Sequence, residues 1–128
     1  MAHGDWYWHE LNCRDPERLA PFYEKLFGWQ SKDMPMGDGP PYRLITKEGA
    51  ENGHGGYLKM EGPQFEGVPP MWLVYIEVDE VDATLSEVEG QGGKIVAPAW
   101  DIPDVGRMAV ITDPEGAALA VMTPSEDG

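Results

Sequence analysis

Two stretches of the chain repeat apolar residues at helical spacing, and the segments around them alternate in polarity or run apolar in short bursts. Leu19, Phe22, Tyr23, Leu26 and Phe27 fall at i, i+3, i+4, i+7 and i+8, the spacing of one helical face. Asp15 stands where an N-cap belongs, Pro16 follows in the favoured first helical position, and Gly28 is placed to end the helix. Pro21 has no N–H to offer the carbonyl of Glu17, so an irregular first turn is expected. Val81, Leu85 and Val88 mark a second, shorter helix that stops at Gly90. Strands are predicted at 5–13, 29–35, 41–47 and 55–61, and again at 71–78, 93–101, 106–112 and 117–123, with Gly- and Pro-rich turns between them. Asp113-Pro114-Glu115-Gly116 has the composition of a tight turn joining the last two.

The order of elements occurs twice. Aligning Thr46 with Thr112 gives an offset of 66, and aligning Trp8 with Leu73 gives 65. Two separate anchors agreeing within one residue indicate an internal duplication. The chain is read as a single domain over 1–128: module one at 1–62, a Pro- and Gly-rich linker at 63–70, and module two at 71–128. Each module has a strand-helix start and two hairpin connections, so the fold class is α+β with two βαβββ modules. Neither module hides both faces of its sheet alone. Pairing them is expected to give a curved mixed sheet around a central cavity suited to a small-molecule ligand.

Charge removes some functions from the list. With 9 basic and 23 acidic residues the net charge is −14, which repels phosphate backbones and anionic lipid, so no nucleic acid and no membrane partner is expected. No apolar run approaches the length of a bilayer span, and the first residues lack the pattern of a secretory signal, so a cytoplasmic location is expected. Cys13 is the only cysteine; it excludes an internal disulfide and, in a strand, reads as a packed thiol.

Three segments resemble one known family: WHELNCRDPERLAPFYEKLFGW (8–29), VDEVDATLSEVEGQGGKIV (78–96) and VGRMAVITDPEGAALAVM (105–122) are similar to the vicinal oxygen chelate superfamily. That group includes glyoxalase I, bleomycin-resistance proteins, fosfomycin-resistance enzymes and extradiol dioxygenases, and the resemblance covers nearly the whole chain. Metal-dependent members bind a divalent ion through inward-facing His and Glu, and the ion acts as a Lewis acid on vicinal oxygens of the substrate. Carried over position by position, the resemblance puts the ligand positions on Trp8, on Leu73, on Ala120 and within 54–58, where His54 is the one plausible donor. Three or four converging donors are needed. The reading is therefore that no metal and no other cofactor is held. His9 lies one residue from a ligand position and is read as facing the helix with Leu11 and Cys13; a register one residue different would turn it inward.

The same register sends Trp8, Glu10 and Asn12 inward from the first strand, and Leu73, Tyr75 and Glu77 from its counterpart. Glu10 and Glu77 are the candidate acid/base groups, while Trp8, Asn12, His54, Leu73, Tyr75 and Ala120 are the candidate ligand-binding residues. An aromatic floor with carboxylates and a phenol suits a planar ligand bearing a cationic or hydroxylated group. The 47–56 segment, KEGAENGHGG, reads as a glycine-rich hairpin connection or lid without a phosphate-cradling pattern. Arg107 reads as a surface ion pair. Three functions remain open at this level. The first is a protein that binds a small aromatic or polar metabolite. The second is an enzyme, either a metal-independent acid/base catalyst or a metal-dependent one with displaced ligands. The third is a structural dimerisation module. A homodimer is expected in each case.

Overall fold

A computed structural model of the protein describes residues 2–36, 39–47, 55–63, 66–102 and 105–125, and at 34–36, 39–41 and 47 it describes the backbone alone. Among these residues the elements follow the order β1 (Trp6–Cys13), α1 (Pro16–Phe27), β2 (Trp29–Met36), β3 (Gly39–Lys47), β4 (Gly55–Lys59), β5 (Met71–Glu77), α2 (Val81–Val88), β6 (Lys94–Ile102), β7 (Gly106–Thr112) and β8 (Ala118–Pro124). This is βαβββ twice, the α+β architecture expected. The chain divides into two compact units: residues 9–72, and residues 73–128 together with 1–8.

In the first unit the strands lie in the order β2-β3-β4-β1, with β1 parallel to β4 and the other neighbours antiparallel. The helix α1 begins as its cap residues dictate. The Asp15 carboxylate accepts from the Arg18 N–H at 3.3 Å, and Gly28, at φ 73°, closes the last turn by donating to the Glu24 carbonyl. The irregular first turn expected at Pro21 does not occur. Pro21 and Glu17 both lie on the exposed side, where solvent serves the carbonyl that proline leaves unpaired. The apolar face of α1 is narrower than its spacing predicts. Leu19, Ala20 and Tyr23 pack on Leu11, Cys13, Ile45 and Tyr57, whereas Phe22, Leu26 and Phe27 stay more than half exposed.

In the second unit the order is β5-β8-β7-β6, with β5 parallel to β8. Residues 4 and 5 run beside the end of β5: Gly4 N–H donates to the Glu77 carbonyl at 2.7 Å and Glu77 N–H to the Asp5 carbonyl at 2.9 Å. Val78, Val81, Ala109 and Val121 form the core under α2, with Leu85, Ala99 and Ile111 against them. The second helix ends at Val88, before the glycine expected to stop it. A single tighter turn, Glu89–Gln91, follows, and Gly92 at φ 92° closes it in place of Gly90. No helix among the described residues is long and apolar enough to cross a membrane.

Alternation along the opening strands sorts their side chains. In the first unit Leu11 and Cys13 face α1, so Glu10 and Asn12 face away from it. In the second, Val78 faces α2, and Tyr75 and Glu77 face away. These outward-from-helix faces carry the chemistry.

Candidate functional site

Glu10 and Asn12 are polar, yet only 5% and 8% exposed. Burial of that kind requires partners, and for Glu10 the partner comes from two strands away. Glu10 on β1 is the register neighbour of Gly56 on β4, and Gly56 is the neighbour of Leu44 on β3. Tyr42, two residues before Leu44 on the same side of β3, extends its phenol back across β4, and its Oη donates to Glu10 Oε2 at 2.8 Å. A Cβ on Gly56 would overlap Tyr42 Cε2, Cζ and Oη, so the ring edge occupies the space that only glycine leaves vacant. Gly55, beside it, serves a different purpose. A Cβ there would strike the backbone carbonyl of His9, its neighbour on β1. One glycine lets the strands pair and the next admits the phenol.

Asn12 lies one pleat beyond Glu10, and its Oδ1 has no hydrogen-bond partner among the described residues. An unserved buried acceptor costs on the order of 1–3 kcal/mol. The cation next to Tyr42 in sequence is directed elsewhere. Arg43 donates through Nε to Ser31 Oγ at 2.9 Å, and Ser31 donates to Glu24 Oε2 on α1, so this chain of contacts belongs to the helix side. On that side Tyr57 is buried, and burial, reinforced by the nearby Glu24 charge, pushes its phenol up to about 12. Burial, then the Asp15 charge, likewise raises the thiol of the inaccessible Cys13. Both groups are held in their protonated forms within the core.

Among the other residues singled out from the chain, Trp8 is half-buried and Leu73, Tyr75 and Ala120 are buried, all four within the second unit. Tyr75 and Ala120 are register partners on β5 and β8. Glu77 is half-buried, with Oε1 buried and lacking a partner among the described residues. His9 is exposed, and His54 lies outside the described residues, as does most of the connection expected at 47–56. Gly55 and Gly56, read both as the end of that connection and as the start of the strand predicted at 55–61, belong to β4. Trp29 and Trp72 join Tyr23 and Phe27 in a cluster with centroids 5.2 to 6.3 Å apart. Tyr42 is the residue that sequence reasoning missed. Its signal was a lone tyrosine in a strand and a Gly-Gly pair in the next, meaningful only once β3 and β4 are known to be neighbours.

Arg107 forms the surface pairs expected of it. Nε and Nη2 reach the two oxygens of Asp82 at 3.0 and 3.1 Å, and Nη1 reaches Asp101 at 3.1 Å. Arg107 and Asp101 line an open depression of about 380 Å³ with Glu80, Val81 and Thr123. Two carboxylates already satisfy the guanidinium, so the depression offers no anion site.

The positions to which the family resemblance carries the metal ligands, Trp8, Leu73 and Ala120, bear an indole, an isobutyl group and a methyl group. None of the three has a lone pair available to a hard or borderline cation. Among the described residues no three His, Cys, Asp or Glu side chains gather where they could hold an ion. Among the described residues, the donor set does not fit a divalent metal.

Comparison with known proteins places this geometry. Residues 7–121 match the model of the Glyoxalase/Bleomycin resistance protein/Dioxygenase superfamily. The chain is 41% identical over 115 residues to a putative glyoxylase, CFP32, of Mycobacterium bovis, covering 89% of this chain and 43% of the relative. It is 34% identical over 130 residues to the anthracycline biosynthesis protein DnrV of Streptomyces peucetius, covering 94% and 47%. The chain thus spans under half the length of these curated relatives. Among solved structures, a methylmalonyl-CoA epimerase from Mycobacterium tuberculosis superposes with a TM-score of 0.64 at 16% identity, covering 95% of this chain and 88% of that one. At that identity the likeness shows the fold alone.

Proposed function

We propose that this chain, which belongs to the Glyoxalase/Bleomycin resistance protein/Dioxygenase superfamily, binds a small aromatic or polar organic molecule without a resident metal. The observation that carries this reading is the polar group on a sheet face made of the buried Glu10 and Asn12 and the half-buried Tyr42, whose ring is seated over Gly56. A purely structural face would be cheaper to build from apolar side chains, because every buried polar atom must be served. Ligand recognition explains why polar atoms are kept there. The names of the relatives, one a putative glyoxylase and one an anthracycline biosynthesis protein, are in keeping with an organic small molecule.

A thermal-shift screen of aromatic and polar metabolites tests the reading. Binders are expected to raise the melting temperature of the native chain, and to raise it less in Tyr42→Phe and Glu10→Gln. A broad panel without a single shift would count decisively against it.

A second reading follows from the 2.8 Å phenol–carboxyl contact: Glu10 accepts a proton from a bound substrate while the Tyr42 hydroxyl orients the carboxylate. It predicts turnover that Glu10→Gln abolishes and Glu10→Asp partly retains. In the second unit Glu77 is the candidate, on the same strand as Leu73 and Tyr75, with Ala120 and Trp8 in the same unit. The homodimer and the cytoplasmic location belong to the same proposal. The exposed Phe22, Leu26 and Phe27 support self-association, which light scattering measures directly.

A further inference from the structure

The large apolar side chains that the first unit leaves in the open gather at one place. On α1, Phe22 is 59%, Leu26 59% and Phe27 57% exposed, and Trp72 is 42% exposed. Tyr23 joins the three aromatic ones into a continuous surface. It meets Phe22 edge-on with ring centroids 5.1 Å apart, stacks at 6.3 Å from Phe27, and meets Trp72 edge-on at 5.4 Å. Three half-exposed rings and Leu26 leave on the order of 400 Å² of apolar surface, the size at which a patch is often functional.

Charge limits what can cover it. A molecule carrying −14 repels a copy of itself, so self-association needs a contact where the local charge cancels. The helix α1 is such a place, because Arg18 and Lys25 balance Glu17 and Glu24. The helix α2 is not: Asp82 and Glu87 lie on it, Glu80 and Glu89 flank it, and no base answers them. Strand β6 exposes Ile95, Val96 and Trp100, but it contains Pro98 and its pairing with β7 is interrupted by two register shifts. Both devices oppose edge-to-edge pairing.

The order of charges along α1 adds a direction. Glu17 and Lys25 lie four residues to either side of Pro21, and all three are exposed. Two α1 helices packed antiparallel about Pro21 set Glu17 against the partner's Lys25 at both ends, whereas parallel packing sets like charges together. Antiparallel packing also opposes the two helix dipoles favourably. Phe22 then lies near the twofold axis, with Leu26 one turn further out. Such a pairing covers on the order of 800 Å² of apolar surface. At an ordinary apolar share of about 57%, that corresponds to roughly 1,400 Å² in all, a standard size for a stable interface.

We infer that the occupant of this face is a second copy of the chain, bound through antiparallel α1 helices with Phe22 at the centre and Glu17–Lys25 pairs at the ends. This rests on the homodimer reading above and names its surface.

Sedimentation of the native chain between ~1 and ~100 µM tests it, with a dimer expected within that range. Phe22→Asp weakens the dimer by at least ~100-fold, since it places a charge at the centre of the contact. Glu17→Lys and Lys25→Glu each weaken it by ~10-fold, because each makes both symmetry-related pairs repulsive. Combining the two reversals restores the native affinity to within ~3-fold, as the pairs then form with their signs exchanged. Val96→Glu leaves association unchanged. Far-ultraviolet circular dichroism checks that each variant keeps the native fold. A native chain that stays monomeric at ~100 µM would overturn the homodimer reading and this inference together. A dimer that survives Phe22→Asp, or one lost in Val96→Glu, would overturn the α1 surface and leave the homodimer standing. Failure of the double reversal to restore affinity would overturn the antiparallel arrangement.

Discussion

The two adjacent glycines of β4 should respond to the same substitution in different ways. At Gly56 an added Cβ meets the far end of the Tyr42 side chain, which can rotate away; at Gly55 it meets the His9 carbonyl, which is backbone and cannot. Gly56→Ala then loses the Tyr42–Glu10 hydrogen bond, at a cost of about 1–3 kcal/mol for a buried acceptor deprived of this donor. Against that, alanine lowers the entropy of the unfolded chain, a gain of about 0.4–1 kcal/mol. The net expectation is a loss of roughly 1–2 kcal/mol with the fold intact. Gly55→Ala must part β1 from β4, so a loss above about 4 kcal/mol or failure to fold is expected. Urea unfolding followed by tryptophan fluorescence and far-ultraviolet circular dichroism measures both, with an unchanged denaturant slope as the sign of a retained native state. The decisive arm is a cycle with Tyr42→Phe. Once the added methyl group of Gly56→Ala has expelled the ring, the hydroxyl has nothing left to lose, so the double variant should match Gly56→Ala within about 0.5 kcal/mol. Additive losses would refute the claim that Gly56 acts by seating the phenol.

Two further outcomes follow from the helix side of the same sheet. The Tyr57 phenol titrates at about 12 in the folded chain against an ordinary 10.0, so folding favours its protonated form. The associated stability is fully present below pH 10 and is lost as pH rises from about 10 to about 12. Tyr57→Phe should remove that alkaline loss and, by deleting an unpartnered hydroxyl, raise stability near neutrality by about 1 kcal/mol; circular dichroism across the alkaline range decides it. Cys13 is inaccessible, with its thiol raised by burial, and should ignore Ellman's reagent at about pH 8 until urea unfolds the chain. Prompt labelling of the native protein would contradict the packing around it.

How far these features could be read from the chain follows the range of the forces involved. The ends of α1 were legible because a cap needs only residues within four positions of one another: Asp15 meets the Arg18 N–H and Gly28 meets the Glu24 carbonyl. The second helix shows the limit of that logic. Gly90 and Gly92 are both local stop signals, and the tight turn at Glu89–Gln91 selects the later one. Which helical side chains are buried was less legible. Periodicity groups Phe22 and Leu26 with Leu19 and Tyr23, but the sheet covers a stripe too narrow to hold them all.

Local pattern alone determined the duplicated βαβββ order, the alternation that separates Glu10 and Asn12 from Leu11 and Cys13, and the poverty of donors at Trp8, Leu73 and Ala120. These depend on periods of two and 3.6 and on residue identity, which a linear chain displays openly. Tertiary structure decided what Glu10 touches. Tyr42 is 32 residues away, and it reaches the carboxyl only because β4 lies between β1 and β3 with a glycine in register at the crossing. Strand neighbours and their register come from long-range pairing that no short window contains, so the one contact on which the site turns became visible only in the folded chain.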